Sequence, residues 1–131
     1  MFDANNVIEI RKSITADLIT IVSRVYYEDV PPDETDYPFL VFELVDSDAD
    51  GASTEVFEMY INGWDKSSDT TVLENLMFDM NNLIDQKVYK INGTTLAFRA
   101  VLDNKQNIND SDNSLKRREY RYSVRAIQRR L

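Results

Sequence analysis

Apolar and polar positions along the first third of the chain change period. Val7, Ile10, Ile14, Leu18, Ile21 and Val25 recur at steps of three and four, so they form one stripe of a helix that starts at Asn5 or Asn6 and runs to about Ser23. Asn6 and Glu9 are spaced as a capping-box pair, while Glu9, Lys12 and Asp17 fall on the wet side. Arg24 to Glu28 then reads as a short strand that Pro31 and Pro32 stop, because consecutive prolines cannot donate to a ladder. Phe39 to Val45 alternates with period two, and Ser53 to Trp64 does so with bulk on both sides: Phe57, Met59 and Ile61 on one, Val56, Tyr60 and Trp64 on the other. Bulk on both sides predicts a central strand covered from above and below, paired in a hairpin with the strand before it.

The helical period returns with Val72, Leu73, Leu76, Met77, Met80, Leu83 and Ile84, begun by Ser68 or by Thr71 with Glu74. Val88 to Ile91 and Thr95 to Leu102 flank Asn92-Gly93, a strong hairpin signal because both residues tolerate positive φ. Asp103 to Ser114, DNKQNINDSDNS, has almost nothing to bury and reads as a polar loop, mobile in the isolated chain. The last strand sets Tyr120, Tyr122, Val124 and Ala126 against Arg117, Arg121, Arg125 and Arg129, an apolar face backed by an arginine ladder. The predicted class is α+β, a largely antiparallel β-sheet packed with two amphipathic α-helices, and residues 1–131 are expected to form one domain.

Composition narrows the chemistry. The chain has no cysteine and no histidine, which removes thiol nucleophiles, thiolate metal sites and the usual neutral-pH base, and an enzyme is the least expected class. No cofactor is implied. The longest apolar run, Phe39 to Phe42, is too short to cross a bilayer and no export signal is visible, so no membrane partner is expected. The net charge of −8 is unevenly laid out, with Leu115 to Leu131 carrying +6 and the rest −14. An acidic body with a basic last strand suggests self-complementarity and disfavours gross affinity for DNA.

Three constellations invite a functional reading. Asp46, Asp48, Asp50 and Gly51 match the opening of a calcium loop, yet the twelfth position is Phe57 and strands flank it, so an acidic hairpin turn explains the same residues. The ladder Arg117, Arg121, Arg125, Arg129 is open to three readings: a solvated face paired with acids such as Glu43, Glu55 or Glu58, a subunit or partner interface, or contact with DNA. The tyrosines and Trp64 are expected in the core rather than on a stacking platform.

Read in order, these words resemble the tail terminator (tail completion) family of long-tailed bacteriophages. The resemblance rests on the N-terminal helix leading into RVYYEDVPPDETDYPFLVFEL, the strand VFEMYINGWD feeding the helix of VLENLMFDMNNLID, the Asn-Gly hairpin, and the closing strand REYRYSVRAI. It implies a non-enzymatic role: a ring, usually a hexamer, that caps the tail tube, stops its polymerisation and receives the head. The implied partners are other copies of the chain, the tail tube protein and a head connector or head-completion protein, with at most passive contact with DNA in the lumen. The implied location is the virion tail or neck, with assembly in the host cytoplasm. Asp46, Asp48 and Asp50 in one loop and Asn107, Asn109 and Asp110 in the other are the positions expected to touch neighbours, beside the arginine ladder. A different neck or head-completion adaptor, a tail structural subunit, or a calcium-dependent binding module are the alternatives.

Overall fold

A computed structural model describes residues 4–30, 36–49, 54–91, 93, 95–109 and 115–128. The elements run α1 (Ala4–Leu18), β1 (Val25–Tyr27), β2 (Phe39–Ala49), β3 (Thr54–Lys66), α2 (Thr71–Ile84), β4 (Val88–Lys90), β5 (Leu96–Asn109) and β6 (Leu115–Gln128). This is the α+β class read from the pattern, in the predicted order. The six strands form one mixed sheet in the order β1-β2-β3-β6-β5-β4, with β1 parallel to β2 and every other pair antiparallel. β3 is an inner strand, as its bulk on both sides predicts.

Both helices lie on the same face of that sheet. Ile10, Ile14 and Leu18 of α1 and Leu73, Leu76, Met77, Met80 and Ile84 of α2 join Leu40, Phe42, Phe57, Met59, Ile61, Tyr122 and Val124 in one buried cluster. The close approach of α2 is set at Gly63: a Cβ there would lie 2.5 Å from the Met77 sulfur and 3.1 Å from Leu73 Cδ1. The expectation that β3 is covered on both sides is therefore corrected. Its second face is shielded by long side chains from β6, described below, and by no helix.

Local chemistry adjusts several boundaries. α1 ends at Leu18, with Ile19 to Ile21 in a turn, and α2 begins at Thr71 after a local turn in which the Asp69 carboxylate accepts from both the Thr71 backbone N–H (2.9 Å) and hydroxyl (2.6 Å), while the N-cap Thr70 makes no side-chain cap bond. Asp17, expected in water, instead accepts from the Tyr89 hydroxyl (2.5 Å) and Lys87 Nζ (2.7 Å), tying α1 to β4. The short edge strands leave part of their neighbours uncovered, and side chains complete two of the exposed backbone donors. Tyr27 Oη accepts from the Leu44 N–H and Asp85 Oδ1 from the Leu102 N–H.

Two segments read as loops are strand. Asp103 to Asn109 continues β5, where Asn104, Lys105, Gln106, Asn107, Ile108 and Asn109 pair with β6 from Arg121 back to Lys116. Asp46 to Ala49 likewise continues β2 opposite Phe57 to Glu55, with a register shift between Asp46 and Asp48. Pairing satisfies the backbone in both places whatever the side chains offer for burial, which is why polar composition misleads there. Residues 50–53, and with them Asp50 and Gly51 of the expected acidic turn, lie outside the described residues, as do Pro31, Pro32, Asn92, Asp110 and Arg129.

Two outcomes follow for stability. Gly63→Val is expected to lower unfolding free energy by about 1–3 kcal/mol in urea titration, since the Met77 and Leu73 side chains must shift to make room. The buried hydroxyls of Tyr89 and Tyr122 are held above the ordinary value of 10.0, chiefly by burial, so the fold favours their protonated form. That stabilisation is complete below pH 10 and is lost as pH rises past it. Denaturation midpoints should fall steeply above about pH 10, and Tyr122→Phe should flatten the fall while costing about 1 kcal/mol at pH 8 through the lost bond to Asn81.

Candidate interaction surface

The helix-free face of the sheet is assembled by alternation. On β3 it takes Val56, Glu58, Tyr60, Asn62 and Trp64, and the register sets these opposite Arg125, Ser123, Arg121, Glu119 and Arg117 of β6. β2 contributes Phe39, Val41, Glu43 and Val45, and β5 contributes Ala97, Arg99 and Val101 beside Ile127, Arg125 and Ser123.

Three of the four ladder arginines are described, and they share this face as the spacing predicts. The contacts of Arg117 and Arg121 differ from the expected cross-strand acids. Arg117 donates from Nε to Asn62 Oδ1 at 2.8 Å, reaches Glu119 at 3.4 Å, and lies 5.0 Å above the Trp64 ring. Arg121 stacks on Tyr60 at 5.1 Å, and its buried Nε has no hydrogen-bond partner among the described residues. Tyr60 itself donates to Glu58 (2.6 Å), a bond that pushes its hydroxyl above the ordinary tyrosine range. Arg125 is exposed further along β6. The Arg117 and Arg121 guanidinium groups thus sit over the Trp64 and Tyr60 rings, a cation–π arrangement on the face that the two helices leave open.

Tyr60 and Trp64, expected in the core, belong to this face, and so do Phe39 and Tyr26. Phe39 gathers Trp64, Tyr37 and Tyr26 around it at centroid distances of 6.3, 5.3 and 6.0 Å. Beside this cluster is a hollow of about 430 Å³ lined by Glu28, Tyr37, Val41, Glu43, Asn62 and Arg117. A second hollow of about 360 Å³ sits across the face, bounded by Val88, Ala97, Arg99, Val101, Arg125 and Ile127. Sequence reasoning finds the ladder but misses the hollows, which depend on strand order rather than on any one segment.

The other expected contact positions are dispersed. Asp46 is exposed on β2, Asp48 follows it on the same strand, and Asn107 and Asn109 lie on β5 at the opposite end of the sheet. Among the described residues no group of three carboxylates converges as a cation site would require. No described helix is long and apolar enough to cross a membrane.

No family model matches the sequence, and a search of curated proteins finds no match. Solved structures do match in fold. One, described as "Virion of native gene transfer agent (GTA) particle", aligns over 90% of this chain and 91% of its own with a TM-score of 0.69 at 11% identity. A second solved chain aligns over 92% of this chain and 97% of its own, with a TM-score of 0.63 at 14% identity.

The two central arginines should behave oppositely on substitution. Arg117→Met strands the buried Asn62 amide and is expected to cost about 1–3 kcal/mol, with a shifted emission of Trp64, the chain's one tryptophan. Arg121→Met removes an unsatisfied buried donor and is expected to change stability by less than about 1 kcal/mol or to raise it, in the same urea titration.

Proposed function

We propose that this chain is a structural, non-enzymatic component of a phage-like particle, and within it a tail terminator. Copies close into a ring, six in number as the family resemblance implies, that caps the tail tube, ends its growth and receives the head. The observation that carries the reading is the fold shared over nine-tenths of the chain with a chain of a gene transfer agent virion. The helix-free face supports it. Trp, Tyr and Arg are the side chains that dominate interfaces between proteins, and here they stand together on a sheet face that the chain's own helices leave open. The net charge of −8 lets DNA pass such a ring with little adhesion.

Mixing the purified chain with tail tubes and imaging by electron microscopy tests the reading. A single closed ring at one tube end, with no further growth when tube subunits are added, is the expected result; tubes that keep growing overturn it. Arg121→Glu combined with Arg125→Glu is expected to keep the circular dichroism of the fold and to reduce capping at least tenfold. Undiminished capping would return both arginines to a purely solvated role.

A further inference from the structure

We infer that the two stepped edges of the sheet lap on one another between copies, the β1–β2 edge of one against the β5–β4 edge of the next, so that the sheet continues from chain to chain. The inference names the copy-to-copy surface of the ring proposed above, and rests on that reading only for the ring's biological setting.

The steps arise because each outermost strand is far shorter than its neighbour. β1 covers β2 at Leu40 to Phe42, so β2 from Val45 to Ala49 has no strand along its outer side among the described residues. β4 covers β5 at Ala97 to Arg99, and Asp85 and Gln86 add bonds as far as Leu102. From Asp103 to Asn109 β5 likewise has no described strand outside it.

The rungs of the ladder show where each step falls. Tyr27 is level with Phe42, Ile61, Tyr120 and Lys105, and Val25 with Leu40, Gly63, Arg118 and Asn107. β1 thus stands at the height of the open stretch of β5. Val88 is level with Arg99, Arg125, Val56 and Asp48, which puts β4 at the height of the open stretch of β2. Each edge projects where the other is recessed. A second copy in the same orientation brings β1 antiparallel to β5 and β2 parallel to β4, pairings that a sheet accepts. Arg24 and Glu28 bond toward β2, so the alternate residues Val25 and Tyr27 turn their N–H groups away from it.

Side chains select this occupant among all possible strands. β4 and the open stretch of β5 carry exposed Lys90 and Lys105 against one acid, Asp103. The end of β1 and the open stretch of β2 carry exposed Glu28, Asp29 and Asp46 against Arg24, whose Nε already donates to the Pro38 carbonyl. Two β5 edges would set lysine against lysine, whereas the acidic edge of a second copy meets opposite charge. Val45 and Val88, 40% and 56% exposed, come to the same seam. The contact joins unlike edges and therefore repeats head to tail instead of closing a pair.

The absence of cysteine gives a direct test on the full-length protein at raised concentration, without tubes. Val45→Cys marks the acidic edge and Val88→Cys the basic one, both at exposed positions. Lapped edges bring the two thiols within about 10 Å, inside the reach of a short bismaleimide. The two single-cysteine proteins, one carrying a size tag, are mixed in equal amounts and cross-linked. The mixed product is expected to exceed each like pair about tenfold. Adding Lys105→Asp to the Val88→Cys protein should abolish the excess, and Glu28→Lys with Asp29→Lys in the Val45→Cys protein should restore it, although these charges lie at the other end of the seam from the thiols. In the cross-linked pair the amides of Val25 and Tyr27, and alternate amides from Asp103 to Asn109, are expected to exchange hydrogen about tenfold more slowly than in either protein alone.

A statistical mixture of the three dimers, an excess of either like pair, no cross-link, or a mixed cross-link with unchanged exchange at these amides would overturn the inference. Lapped edges in a protein that leaves tubes uncapped would keep the contact and remove the tail-terminator reading; capped tubes without the mixed cross-link would do the reverse.

Discussion

Everything distinctive about this chain depends on the two helices sharing one face of the sheet. Gly63 makes the arrangement tight: a Cβ at that point on β3 would lie against the Met77 and Leu73 side chains of α2, which a larger residue would have to push aside. With α1 and α2 both over Leu40, Phe42, Met59, Ile61 and Tyr122, no helix among the described residues remains to cover the other face. The inner strands nevertheless carry bulk there. Trp64, Tyr60 and Phe39 must be shielded by something, and the chain supplies arginines from β6. The ladder is therefore both part of the fold and the outermost chemistry on the bare face.

Those arginines divide the work unequally. Arg117 is anchored by Asn62 and Glu119, so its position is settled within the molecule. Arg121 is held over Tyr60 but keeps a buried donor with no partner among the described residues, and the register sets Arg99 opposite Arg125. Charges placed at some cost to the isolated fold are the ones an external partner can reward. The acidic balance of the remainder, within a chain of net charge −8, means that a second copy already offers the opposite sign.

How far the sequence foretells this differs by element. The stripes of α1 and α2 and the alternation of β2, β3 and β6 are strong signals because each of those segments has an apolar set to bury, and the structure buries most of each set, although Val72 of the expected α2 stripe is 57% exposed. The continuation of β5 through Asp103 to Asn109 carries no such signal. That segment is strand because β6 lies beside it and pairs residue for residue, a tertiary cause that leaves no mark on local composition. The same holds for Asp46 to Ala49 beside β3, where acidic turn-formers are drawn into a ladder. The arginine ladder was legible as a face but its partners were not, since opposite neighbours follow from strand order. β6 lies between β3 and β5, so Arg121 meets Tyr60 rather than an acid of β2.

Strand order also decides which kind of assembly the bare face favours. A flat, uniformly apolar sheet face would pair with its own copy, isologously, and stop at two. Here the roof of guanidinium groups would be brought against an identical roof, a repulsive encounter at close range. The helical side carries Glu74 and Asp79 on α2, which has no lysine or arginine, so the two faces of this two-layer body differ in chemistry and the bare face disfavours a like-to-like pair.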